Sequence, residues 1–138
     1  MMLSAISQAE VLLKTSNGQN ISFTSLKGKW VIFNYWAGWC HTCIDEIPEL
    51  NRFYLQHKND PVALFAVNYD ALSIEKQKKL IKKFKIKYPS LINDPAQELK
   101  LGDIKGVPVT FIFNTQGQLT KTLYGGQTEQ SLNQIISQ

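Results

Sequence analysis

The only two cysteines of the chain, Cys40 and Cys43, stand two residues apart in "NYWAGWCHTCIDEIPEL". Such a pair can staple a fold, hold a soft metal or exchange electrons with another disulfide. A staple is disfavoured, because disulfide scaffolds use four or more cysteines in a shorter chain. Structural zinc needs four ligands, and Cys40, Cys43, His41 and His57 lack the usual second C-x-x-C or H-x-H. Copper(I) can be held by two thiolates alone, so copper handling stays open. Ile44 rather than His follows Cys43, which argues against haem attachment. The expectation is a dithiol site with neither a resident metal nor a cofactor.

Exchange requires one sulfur to attack and another to resolve. "WVIFNYW", Trp30 to Trp36, is uncharged and rich in aromatic and β-branched residues, which predicts a central strand buried on both faces. From Cys40 onward Ile44, Ile47, Leu50, Tyr54 and Leu55 recur at helical spacing, predicting a helix to about His57, kinked near Pro48. The cysteines therefore sit at a strand-to-helix junction. There Cys40 meets unpaired backbone N–H groups and the positive end of the helix dipole, which favour its thiolate. Cys43, one turn further in, is placed to resolve the mixed disulfide that Cys40 makes. His41 either donates to that thiolate, pushing the couple toward oxidant, or stands exposed and tunes recognition.

The remaining sequence must position this junction. At 138 residues, 43% hydrophobic and 19% charged, residues 1–138 suffice for one domain with one core. The net charge is +4, with the lysines concentrated in "EKQKKLIKKFKIK". Leu80, Ile81, Phe84 and Ile86 are set into that run, so it reads as the solvated face of an amphipathic helix; no nucleic-acid partner is expected. No window approaches the roughly 18 apolar residues of a membrane span. "MMLSAISQAEVLL" has no cation before Lys14 and so lacks the charged start of a secretory signal. Strands are expected at Val11–Lys14 and Asn20–Phe23 around an Asn-Gly turn, and at Val62–Tyr69 and within "YPSLINDP". A helix capped by Ser73 should run to about Lys85, and "AQELKLGD" should form a short helix. "VPVTFIFN" and "LTKTLYG" form a hairpin around "TQGQ", and Thr128 caps a last helix. Alternating strands and helices indicate an α/β sandwich.

"WAGWCHTC", followed after a long gap by "GVPVTFIFNTQGQL", resembles the thioredoxin superfamily over roughly Val11 to Ile136. The resemblance implies a central mixed β-sheet flanked by helices, with an N-terminal β-hairpin and an inserted strand and helix. It makes Pro108 the family's cis-proline and Val107 the residue whose backbone pairs with substrate, a main-chain edge that an extended peptide can join. Asn34, six residues before Cys40, stands where thioredoxin carries a buried Asp. That feature, the "AVN" of Ala66 to Asn68 and Glu46 in "CIDEIP" are similar to the extracytoplasmic TlpA/ResA/CcmG-like group.

Asn34 cannot accept a proton. Glu46, one turn beyond Cys43, is therefore the candidate acceptor for the Cys43 proton; otherwise it is a first-turn acid that favours the helix dipole. Trp36 and Trp39 are expected to shield the couple and form the docking surface, or simply to pack the core. The resemblance implies a thiol–disulfide oxidoreductase of bacterial periplasmic location, membrane-anchored in a full-length form or not. It would reduce protein disulfides, as in cytochrome c maturation, and be re-reduced by a membrane thiol–disulfide carrier. Nothing in the sequence requires a dimer. The departures are His-Thr between the cysteines, which leaves the direction of electron flow open, and Val109 after the proline, which alters the substrate edge that fits; the alternatives are an oxidase or isomerase partner, suggested by His41, and a copper-binding metallochaperone using the same two thiolates. A peroxiredoxin would set its cysteine in a Thr-x-x-Cys context with a supporting Arg, and this stretch holds neither.

Overall fold

A computed structural model describes residues 11–138. Residues 1–10, which carry most of the segment read for a leader, lie outside them. Strands β1 (Leu12–Lys14) and β2 (Asn20–Ser22) form an antiparallel hairpin, followed by a 3-10 turn at Phe23–Leu26. Then come β3 (Trp30–Trp36), α1 (His41–Gln56), β4 (Val62–Asn68), α2 (Ile74–Phe84), β5 (Ser90–Leu91), β6 (Val109–Phe113), β7 (Leu119–Tyr124) and α3 (Glu129–Ile136).

The main sheet has the order β5-β4-β3-β6-β7. β3 runs parallel to β4 and antiparallel to β6, so it lies at the centre, as its uncharged sequence predicts. Its side chains alternate between two buried faces, as strict period-2 geometry requires. Val31, Phe33 and Tyr35 join Phe65, Val67, Phe111 and Phe113 in a core covered by Leu13 and Phe23 of the hairpin segment and by Leu99 and Leu101. Ile32 and Trp36 face the opposite core with Leu64, Ala66 and Ile112, under Cys43, Ile47, Leu50 and Phe53 of α1 and Leu132 of α3. Leu80, Ile81 and Phe84 bring α2 onto that same face. The lysines of α2 point outward and are exposed, which matches the amphipathic reading.

Two expectations change. The helix predicted over "AQELKLGD" is a single turn: Leu101 N–H donates to the carbonyl of Ala96 at 2.9 Å and Lys100 N–H to that of Gln97 at 3.2 Å, with Lys100 at φ 55°. This left-handed closure is the ordinary way to end a helix, and here it acts before a second turn forms. Phe23 leaves the sheet to begin the 3-10 turn rather than ending β2. The helix expected from Cys40 is α1, which continues from His41 to Gln56 with Pro48 inside it. The proline brings no N–H for the carbonyl of Ile44, but the burial of Ile47, Leu50 and Phe53 against the sheet holds the helix on both sides of it.

Candidate redox site

β3 delivers the chain to the site. Tyr69 N–H donates to the carbonyl of Trp36 at 2.8 Å, and Cys40 N–H to that of Ala37 at 3.2 Å, which turns the chain sharply between strand and helix. Cys40 is the N-cap of α1, with extended backbone at φ −99°, ψ 109°. Its sulfur accepts the Cys43 N–H at 3.1 Å, the bond that a Ser or Asp oxygen makes at other helix starts. Cys40 is 8% exposed and Cys43 only 1%, and both are free thiols.

The Val107–Pro108 peptide bond is cis. It brings the carbonyl of Val107 to 3.8 Å from Cys40 Sγ, which donates to it. On the far side Gly125 N–H donates to the carbonyl of Pro108 at 3.0 Å. A Cβ on Gly126 would lie 3.3 Å from Thr42 Cγ2, so this loop passes close against the first turn of α1.

Glu46 is 3% exposed. Its Oε1 accepts from Asn34 Nδ2 at 2.9 Å, and its Oε2 accepts from the backbone N–H of Gln127 at 2.6 Å. Burial pushes the carboxyl up from 4.5 to about 7, against the pull of these two donors toward the charged form. The Cys43 thiol is pushed above its ordinary range, chiefly by burial, then by its hydrogen bond with Cys40 and the fields of Cys40 and Glu46; an interaction with the Ala37 backbone opposes this. Tyr88, buried in the same core, is raised for the same first reason and then by Glu46 and Cys43. The arrangement places a thiol that keeps its proton one helical turn from an acid that changes charge near neutrality.

Trp39 and Trp36 part company. Trp39 is 65% exposed, its Nε1 donates to Asp70 Oδ2 at 2.9 Å, and its ring meets Tyr69 edge-on. Trp36 is 3% exposed and packs edge-on against Phe84 of α2, so it cannot belong to a docking surface. It forms part of the core beneath the cysteines, because an even-numbered position on β3 faces α1 and α2. His41 is exposed and donates to neither sulfur. The site thus gathers Cys40, Cys43, Glu46, Val107, Pro108 and Trp39, with His41 at its rim. Thr110, Gln127 and Asp70 escaped the sequence reading. Gln127 contributes only its backbone, which no side-chain motif announces, and Thr110 resembles any inward residue of β6.

The AhpC/TSA family model matches residues 7–122. The chain belongs to this family. It is 30% identical to sporulation thiol-disulfide oxidoreductase A of Bacillus subtilis over 91% of the chain and 77% of that protein. It is 29% identical to the thiol-disulfide oxidoreductase ResA of the same organism over 91% of the chain and 70% of that protein. The crystal structure of StoA from Bacillus subtilis superposes with a TM-score of 0.75 at 30% identity, covering 90% of this chain and 93% of that one. A thiol:disulfide interchange protein from Chlorobium tepidum gives 0.76 at 25% identity, covering 92% and 90%. This family member has the thioredoxin fold and is a thiol–disulfide oxidoreductase, as the C-x-x-C and cis-proline resemblance implies.

Proposed function

We propose that the protein reduces protein disulfides outside the cytoplasm, with Cys40 as nucleophile, Cys43 as resolving thiol and Glu46 as proton acceptor. Cys40 attacks one sulfur of the substrate disulfide, and the other leaves as a thiolate. The extended substrate segment pairs with the main chain at Val107 beside Pro108, next to the exposed Trp39. Cys43 then attacks Cys40 Sγ, its proton passes to the Glu46 carboxylate, and the second substrate sulfur departs. The substrate gains two electrons and the Cys40–Cys43 dithiol becomes a disulfide, which a membrane thiol–disulfide carrier reduces again. Among the described residues no helix is long and apolar enough to cross a membrane.

The observation that carries this reading is the pairing of the buried Cys43 with the buried Glu46, one helical turn apart on α1. A strong oxidant stabilises its reduced form as a thiolate. Here the exposed His41, the residue that could have stabilised such a thiolate, makes no hydrogen bond to either sulfur. The relatives are named for disulfide exchange, and neither the oxidase or isomerase alternative nor copper handling is favoured by them. The test is the equilibrium potential of the Cys40/Cys43 couple in defined thiol–disulfide buffers. A value at or below about −220 mV is expected, and a value near about −120 mV would make the protein a disulfide donor instead. In the same assay Cys43→Ser should accumulate the mixed disulfide and Cys40→Ser should form none.

A further inference from the structure

The residue that replaces thioredoxin's buried acid is itself engaged through its amide nitrogen. Asn34 is 1% exposed and Thr110 is completely buried. They face each other across the β3–β6 ladder as a register pair. Asn34 Nδ2 has two hydrogens and spends both: one goes to Glu46 Oε1 at 2.9 Å, the other to Thr110 Oγ1 at 3.2 Å.

We propose that Asn34 and Thr110 are positioning residues for proton transfer: Thr110 locks the Asn34 carboxamide, and the carboxamide holds Glu46 Oε1 as a donor-bound carboxylate acceptor. This rests on the reading of Glu46 given above. Two features of the geometry require the pair to act together. Rotating Asn34 away from Glu46 would strand a buried N–H with no partner, a costly state, so the Thr110 bond fixes the rotamer that serves Glu46. And an Asp at position 34 would place two carboxyl groups in contact, where both cannot ionise, whereas an amide N–H favours the ionised form of its neighbour. Asn34 is thus the matched partner of an acid that enters from α1 rather than from β3. Thr110 lies two residues beyond Pro108, so the strand that presents the substrate edge also supplies the lock. The titratable groups facing Glu46 are Cys43 on α1 and Tyr88 on the segment leading into β5; no cation pairs with it among the described residues.

The experiment is a carbon-13 NMR titration of the Glu46 carboxyl in the reduced protein, for wild type, Thr110→Val, Thr110→Ser and Asn34→Leu. Thr110→Val is close in shape and removes the hydroxyl that holds the Asn34 carboxamide. It should raise the Glu46 midpoint, and Thr110→Ser, which keeps the hydroxyl, should restore it. Asn34→Leu removes the donor outright and should raise the midpoint by about one pH unit or more, lowering turnover at pH 7 about fivefold. A Glu46 midpoint in Thr110→Val equal to that of wild type overturns the proposal, even where Asn34→Leu does not fold. Because this titration reads Glu46 without turnover, its failure is separate from failure of the reaction scheme, which a Glu46→Gln enzyme with an unaltered pH–rate profile would show.

Discussion

The backbone N–H of Gln127 donates to Glu46 Oε2 at 2.6 Å, tying the segment before α3 to the buried face of α1. With Asn34 holding the other oxygen, Glu46 meets only donors, an environment made for a carboxylate. Burial opposes this and sets the balance at about 7.

A proton acceptor must be ionised to act, so single-turnover resolution by Cys43 should accelerate as pH rises through about 7 and then level off. Glu46→Gln removes the acceptor. At pH 8 it should be about a hundredfold slower on a small disulfide, with no inflection near neutrality, since general-base assistance contributes at least about that factor. Rates followed from pH 5 to 9 decide the matter, and a variant that keeps the wild-type inflection takes Glu46 out of the mechanism.

The same carboxyl should make folding stability depend on pH in an unusual sense. Its folded value, about 7, lies above its value of 4.5 in the unfolded chain, so between these values the native state binds more protons. The contribution of Glu46 to stability is therefore greatest below about 4.5, falls as pH rises through the window, and is flat above about 7. The full span corresponds to about 3 kcal/mol. Urea unfolding of wild type and Glu46→Gln at pH 4.5 and 7.5 should show this fall in wild type alone. A difference between the two proteins that does not change with pH would contradict a Glu46 carboxyl raised by burial despite its two donors.

Much of this site was legible in the sequence, for identifiable reasons. Trp30–Trp36 announces a central strand because it has no charge on either face, and Cys40 announces a helix start because apolar periodicity begins just after it. Glu46 was legible as a residue, but its environment was not. Asn34, Thr110 and Gln127 converge from β3, β6 and the turn after β7, and one of the three uses only its backbone. The tryptophans show the opposite limit. Trp36 and Trp39 are alike in composition and near in sequence, yet strand alternation buries one against Phe84 while the turn before Cys40 exposes the other. The "AQELKLGD" segment has helical composition, but its extent was decided by backbone closure at Lys100, a feature that side-chain patterns do not encode.

The two tryptophans should accordingly fail in different ways. Trp36→Ala empties a core position shared with Ile47 and Phe84 and should cost about 3–5 kcal/mol of stability. Trp39→Ala should leave the melting temperature nearly unchanged, because its ring is mostly in solvent and its hydrogen bond to Asp70 is exposed. It should instead raise KM for a protein disulfide severalfold and leave reduction of a small disulfide close to wild type. Thermal melts paired with kinetics on both substrates test this, and equal losses on both substrates would remove Trp39 from the docking surface.

Lysines in left-handed backbone offer a prediction about stability alone. Lys85, the residue after α2, has φ 56° and closes the helix by donating to the carbonyls of Ile81 and Lys82; Lys100 does the same for the single turn before it, at φ 55°. A Cβ in that region costs about 1–2 kcal/mol, which glycine avoids. Glycine also loses more freedom on folding, so the net gain from Lys85→Gly or Lys100→Gly should be about 0.5–1 kcal/mol. For a chain of this size that corresponds to a rise of roughly 2–4 °C in Tm for the larger figure. Both side chains are exposed and neither touches the cysteines or Glu46 by any hydrogen bond or ion pair, so turnover should not change. A fall in Tm would mean that the lysine side chains stabilise these closures by more than their backbone conformation costs.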